Sequence, residues 1–435
     1  MTSFVYNEDT WKEIKKKFVY NESTWKAVKK AWTYSNDEWK KVYSSGPIIL
    51  CSLPLHSDLE FEVGTGAVTF TRSSPATYID SSGILQEVDA NVPRFKNNML
   101  LIEGKGTNFA RRTNNLDNEN WWPTYSIYSI SDMADAPDGT PTATGLVPTV
   151  GWGSHHISQY MGDSDGTVSG SCFVKKGSGV NWFVMHLNYN TASGVEFGME
   201  FFFNIANGTV GTMPIGGLHQ EIEELADGWF RCKCTGTYDG TGIQGIYFLL
   251  GPAENDGDEH FEVPPGTVTT YIWGPQFEEF IRNTSYIPND LTDPIDRDPD
   301  ILSFPQIGNM PEWDQPVAIE LNIHPLLRTQ KNARFFSTSN LYQIMEHSTD
   351  LQSYLSYWCD DSNPITFDFD FSNLTNVKQT LEATTVTTYI NGEQKASGPL
   401  QPIESNNPGT IWLGSDQGAD FYYYGYISDL IISAP

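Results

Sequence analysis

Basic residues are scarce in this chain: 26 Lys and Arg stand against 54 Asp and Glu in 435 residues, a net charge of −28. The cations are also unevenly placed. Residues 1–45 hold nine Lys and six acids, whereas the other 390 residues hold 17 Lys or Arg against 48 acids. A body this acidic repels phosphate backbones and anionic bilayers, which argues against nucleic acid as a partner. Cysteine is sparse as well. Cys51, Cys172, Cys232, Cys234 and Cys359 make an odd count with no regular spacing, so no disulfide framework is expected. Cys232 and Cys234 alternate in an expected strand and read as core thiols. There is no apolar run of 18 residues, so membrane insertion is not expected. The opening Met-Thr-Ser-Phe-Val-Tyr-Asn-Glu-Asp has no apolar signal region, and the expectation is assembly in a reducing cytoplasm.

Chemical motifs are lacking too. No Gly-x-Ser-x-Gly elbow and no Gly-Lys-Thr phosphate loop occur, and the eight His form no metal spacing. His155 and His156 are adjacent, so in a strand they face opposite ways. Glu221, Glu223 and Glu224 read as one solvated surface segment. Asp256, Asp258 and Glu259 form an acidic loop in which Asp256 and Asp258 are the candidate ligands for a structural calcium; Asp360-Asp361 is a second acidic pair. No spacing singles out a carboxylate pair for glycoside hydrolysis. The expectation is therefore a protein that is not an enzyme and needs no cofactor beyond that calcium.

What is present is aromatic and turn-rich: 13 Trp, 21 Tyr, 24 Phe, 37 Gly and 25 Pro. Short alternating runs between turn residues predict an all-β chain. The first 45 residues repeat. Tyr6, Tyr20 and Tyr34 recur at a spacing of 14, as do Trp11, Trp25 and Trp39, each Trp followed by Lys. An aromatic strand, a polar turn and a second strand fit each unit, although Trp25–Lys30 also has fair helix propensity. One unit buries too little to fold alone.

Several strings carry resemblances. The Tyr-Asn-x-x-x-Trp-Lys units resemble repeats of tailed-phage structural proteins, which implies a virion-docking module at 1–45 with Tyr6, Trp11, Tyr20, Trp25, Tyr34 and Trp39 as its contacts. Phe70-Thr-Arg-Ser-Ser-Pro-Ala-Thr-Tyr78, Asn91-Val-Pro-Arg-Phe95, Leu100-Leu-Ile-Glu103 and Thr107-Asn108 resemble a signature of phage fibre and head-spike proteins. In this block Arg72 and Arg94 are available to pair with Asp80, Glu87 or Glu103. Ala136-Pro-Asp-Gly-Thr140, Gly228-Trp229 and Tyr271-Ile-Trp-Gly-Pro-Gln276-Phe-Glu278 are similar to jelly-roll carbohydrate-binding modules. Thr387-Thr-Tyr-Ile-Asn-Gly-Glu393, Ile411-Trp-Leu-Gly-Ser415 and Phe421–Leu430 resemble the last strands of laminin-G and concanavalin-type sandwiches, with Asn391-Gly392 as a type I′ turn.

These resemblances imply short N-terminal β repeats and then two β-sandwich (jelly-roll) domains, one inserted in the other. Residues 46–110 and 291–435 form the divided sandwich, with Asp290–Asp300 as a return linker, and 111–290 form the insert; consecutive modules are the alternative. The expected function is a bacteriophage virion structural protein, a tail or head fibre or spike that docks on capsid or tail proteins and binds host-surface polysaccharide. It would act as a homo-oligomer, a trimer being one form. A decoration or cement protein without sugar binding is the alternative, and a polysaccharide hydrolase a third reading. Sugar rings stack on planar aromatics beside amides and carboxylates that hold hydroxyls, so Trp121, Trp122, Tyr125, Tyr128 and Trp152, with His155 and Asn188 nearby in sequence, are the expected glycan contacts. Trp229 and Trp273 read as core, and the Tyr422–Tyr424 run, if a strand, exposes at least one ring.

Overall fold

The computed structural model describes residues 4–7, 10–13, 18–21, 24–27, 30–35, 38–44, 47–149, 151–163, 166–191, 196–238, 243–280, 283–311, 315–326, 333–339, 343–349, 352–358, 374–382, 385–399, 409–415 and 422–434. The chain is all-β, 58% strand. Among the described residues there is no helix long and apolar enough to cross a membrane.

Each 14-residue unit is one antiparallel hairpin: Phe4–Asn7 with Thr10–Glu13, Phe18–Asn21 with Thr24–Ala27, and Lys30–Ser35 with Glu38–Ser44. Tyr6 stands opposite Trp11, Tyr20 opposite Trp25 and Tyr34 opposite Trp39 in the three registers. The period of the sequence is thus the length of a hairpin. Trp25 lies in a strand, not in a helix.

Beyond residue 47 the strands make two sandwiches. In the first, Met99–Ile102 pairs with Gly425–Ala434, which also pairs with Ile48–Leu53 and Val317–Pro325. The facing sheet contains Thr69–Thr71 hydrogen-bonded to Ile301–Pro305, a pairing that spans some 230 residues of chain. Val317–Pro325 alternates buried and half-buried residues along its whole length. Its inward Val317, Ile319, Leu321 and Ile323 join Leu100, Phe304 and Phe336 in one apolar core. Gly106–Asn108 and Ile295–Arg297 pair where the chain leaves and re-enters this sandwich.

The second sandwich lies between those two points. One six-stranded sheet runs Thr124–Tyr125, His156–Gly162, Ile243–Ala253, Trp182–Thr191, Glu196–Asn204, Thr209–Val210. The other runs Ile127–Ala134, Ala143–Pro148, Thr270–Glu278, Gly166–Lys176, Trp229–Tyr238, Gly217–Glu224. Between them Phe183, Met185, Phe201, Phe203, Phe248 and Phe277 pack with Cys172, Cys232 and Cys234. The three thiols are fully buried and unpaired, and burial pushes their pKa values up, so they are inert core groups. Cys359 and Asp360-Asp361 lie outside the described residues.

The Asp290–Asp300 return segment is itself packed: Arg297 and Asp300 are 1% and 0% exposed. Tyr422–Tyr424 is not a strand, so its rings are freed from alternation, and Tyr423 and Tyr424 are both buried. Asp80 accepts from Ser82 N, Ile84 N and Gln86 Nε2 at its own turn rather than pairing with Arg72 or Arg94.

Candidate functional site

The outward face of the first sheet of the inserted sandwich carries an unusual residue set. Along Trp182–Thr191, Phe183, Met185, Leu187 and Tyr189 point into the core, so Val184, His186 and Asn188 point away from it. The registers then fix the rows. Tyr125 stands beside His156; Ser158, Leu249, His186 and Glu200 form the next row; Tyr160, Tyr247 and Asn188 form a third. The first and third rows are four residues apart along the strand, about 13 Å.

One end of this face is closed. Val184, Phe202 and Ala253 are buried there with Trp182 against them, and the following segment returns over the sheet to bring Glu259 Oε2 within 2.9 Å of His186 Nε2. Glu259 is held ionised: burial alone would raise its pKa, but His186 outweighs that and lowers it. The other end is open, with Tyr160 and Tyr247 43% and 36% exposed and their rings 5.2 Å apart. Tyr160 donates to Asp163 Oδ1 at 2.7 Å, which fixes its hydroxyl. Its ring lies directly over Gly245, where an added Cβ would sit 2.3 Å from it. Gly251 likewise has no room for a side chain, since a Cβ would meet His155 O at 2.2 Å. Tyr125 stacks on His156 at 5.1 Å and 16° between planes.

Hydrogen-bonding capacity is left over on this face. Among the described residues, His156 Nδ1 and Asn188 Oδ1 are buried without a protein partner. Burial, reinforced by His186, lowers the His156 pKa to about 4, so the ring is neutral near pH 7. A face with planar rings, neutral imidazole, amide and carboxylate groups can hold a polyhydroxylated ligand by stacking and hydrogen bonds.

Of the expected glycan contacts, Tyr125 and Asn188 lie on this face. Trp152 is 70% exposed and precedes Gly153, which bridges to Phe261 beside the Glu259 segment. Tyr128 is exposed but belongs to the edge strand of the other sheet. Trp121 is partly buried against the core. Two expectations are corrected. Trp122 is fully buried and its indole donates to Arg111 O, so it is a core residue. His155 is 2% exposed and packs edge-on to Phe261, with Nδ1 at Ser126 O and Nε2 at Phe261 O; alternation gives the outward position to His156 instead. His156, His186, Tyr160, Tyr247 and Glu259 were not among the expected glycan contacts. The alternation of His156, Ser158 and Tyr160 was the available signal, but Glu259 reaches His186 across 73 positions of sequence.

The calcium reading does not fit the acidic loop. Both Asp256 oxygens accept from Thr212, through N at 3.0 Å and Oγ1 at 2.8 Å. Asp258 Oδ1 accepts from His260 N and faces the His260 ring at 3.5 Å. Among the described residues no three His, Cys, Asp or Glu side chains converge as metal ligands.

A second concavity of about 410 Å³ lies between the two sandwiches. It includes Glu221, Glu223 and Lys233, which are not freely solvated: Lys233 Nζ is 3.1 Å from Glu221 and 2.8 Å from Glu223. Lys233 holds the Glu221 pKa well below the usual carboxylate range. For Glu223, burial raises it but Lys233 and Lys96 outweigh burial. Neither carboxyl is protonated near neutral pH, so this pair supplies no general acid.

Fold and face together describe a pair of β-sandwiches, one seated within the strand order of the other, with a polar-aromatic sheet face. No protein family matches the sequence and no curated protein matches it. Similar solved structures are carbohydrate-binding and laminin-G-like β-sandwich domains. One is the tandem CBM22 domain of Xyn10C from Paenibacillus barcinonensis, with 8% identity, 77% of this chain and 100% of that one covered, and a TM-score of 0.27. Another is the mouse laminin α1 LG4-5 pair, with 12% identity, 62% and 84% covered, and a TM-score of 0.22. A third is domain 4 of AbnA, an extracellular arabinanase from Geobacillus stearothermophilus solved with arabinotriose, with 19% identity, 31% and 67% covered, and a TM-score of 0.26. At such scores these likenesses carry nothing beyond the general construction, and the sheet face stands on its own geometry.

Proposed function

We propose that this chain is a non-enzymatic structural protein of a bacteriophage particle, a fibre or spike that docks by its N-terminal hairpins and binds host-surface polysaccharide. The virion setting is supported by the phage-type strings at 4–43 and 70–108. Glycan binding is supported by the face built from Tyr125, His156, Tyr160, His186, Asn188 and Tyr247. The observation that carries it is the combination of stacking rings with buried polar atoms, His156 Nδ1 and Asn188 Oδ1, that no protein group among the described residues satisfies. The ion-paired state of Glu221 and Glu223 supports binding over hydrolysis.

Binding of the full chain to a panel of soluble polysaccharides tests this, with Tyr160→Ala and Tyr247→Ala as probes. Each substitution should weaken binding about tenfold, equivalent to about 1.4 kcal/mol, with the melting temperature unchanged because both rings are exposed. Absence of binding across the panel, or full binding by the double variant, removes the glycan reading and leaves the decoration protein.

A further inference from the structure

The charge of the sheet face narrows the ligand. None of the six strands of that sheet contains Lys or Arg. Between Arg112 and Arg282 the sequence has four basic residues, Lys175, Lys176, Arg231 and Lys233. All four lie on Gly166–Lys176 and Trp229–Tyr238 of the opposite sheet. Arg111 precedes the sheet, and its backbone carbonyl accepts from Gln159, on the core side of the His156–Gly162 strand.

Carboxylates, in contrast, are present at the face. Glu200 is exposed and directly opposite His186 in the strand register. Glu259 sits on His186 at the closed end, and Asp163 accepts from Tyr160 at the open end. His156 stays neutral through most of the acid range, so it brings no compensating cation.

We infer that this face selects an uncharged glycan and excludes chains bearing carboxylate or sulfate groups. The inference rests on the glycan-binding reading and specifies its substrate class. A uronate or sialate laid across Tyr160 and Tyr247 would give up water around its carboxylate, meet no Lys or Arg from the sheet, and face Glu200 and Glu259 in partly desolvated surroundings. Hydroxyl groups of a neutral chain meet no such cost. They can donate to Glu259, Glu200 and Asn188 Oδ1, and a neutral His156 can take either a donor or an acceptor. The strongly acidic body adds a long-range repulsion of the same sign.

The test compares polygalacturonate with its carboxyl-reduced galactan, which share a backbone and differ in charge, alongside neutral mannan, arabinan and mixed-linkage glucan. Titration calorimetry on the full chain should show binding confined to uncharged polymers. That binding should be insensitive to salt, since no ligand charge is involved. Glu200→Lys places a cation on the exposed face and should raise affinity for polygalacturonate about tenfold at low salt, while the neutral chains, which lose the Glu200 acceptor, should not gain affinity. If a polyuronate binds at least as well as the neutral chains, and Tyr160→Ala weakens that binding, the selectivity is overturned while the face remains a glycan site. If no polymer binds, the glycan reading itself falls and takes the selectivity with it.

Discussion

Asp300 is a fully buried carboxylate shared by two arginines. It accepts from Arg72 Nη1 at 3.0 Å, from Arg94 Nη2 and from the Glu103 backbone at 2.9 Å, with no exposure of its own. Arg94 also donates to Glu103 at 2.8 Å and to Ser285 of the inserted sandwich at 2.8 Å. Removing one member of such a network strands the rest without water. Asp300→Asn should therefore destabilise the chain by about 3–5 kcal/mol, read as a loss of urea midpoint without a change in m-value. Arg72, Arg94 and Glu103 thus serve the junction between the two sandwiches. Acid should act in two windows. Burial would raise the Glu103 pKa, but Arg297 and Arg94 bring it down from 4.5 to about 2; its stabilisation is complete above 4.5 and lost as pH falls toward 2. His156 is shifted down from 6.5 to about 4 by burial and then His186, so its contribution is complete above 6.5 and lost toward 4. Thermal melts across this range should fall in both windows, and His156→Asn should flatten the upper one alone. Such residue-level facts were only partly legible. Arg94 with Glu103 was among the expected pairs, but Asp300 lies 206 positions from Arg94 and no local pattern marks it.

Alternation was the legible signal at the scale of elements, because a strand with one wet face must repeat every second residue. Val317–Pro325 and Thr375–Glu382 show it throughout. The Asn391-Gly392 turn follows from the same local chemistry: Asn391 has φ 50° and Gly392 φ 81°, the two left-handed residues a type I′ turn demands. Replacing both with Ala forces side chains into that region at roughly 1–2 kcal/mol per residue, and the stability loss should appear in denaturant melts while Gly392→Asn alone costs less. Where strands are covered on both sides the signal fades. Ala143–Pro148 is buried at every position, and the Phe201-Phe-Phe203 run sends two rings to the core and one under the closed end of the sheet face. Tertiary cover decided those positions. His155 and His156 show the opposite case, since alternation separates them and only the loop contacts decide that His155 is the structural one.

At the scale of the molecule, the three N-terminal hairpins stand apart from everything else. Among the described residues each is a two-stranded sheet paired only within itself, and no ladder joins it to either sandwich. An isolated two-stranded hairpin is at best marginally stable in water. The hairpins therefore contribute little to the body, while their aromatic-basic composition, nine Lys with paired Tyr and Trp positions, suits an acidic or aromatic surface on a neighbouring protein. A chain beginning at residue 46 should keep the melting temperature of the full chain, because every sandwich ladder, including Ile48–Leu53 on Gly425–Ala434, survives the cut. Under the docking role proposed above, a particle-assembly assay should find the truncated chain incorporated at least tenfold less than the full chain. Replacement of Trp11, Trp25 and Trp39 by Ala in the full chain should lower incorporation in the same direction, separating the aromatic contribution from chain length. Normal incorporation of the truncated chain would assign docking to the sandwiches and leave the hairpins without the role proposed for them.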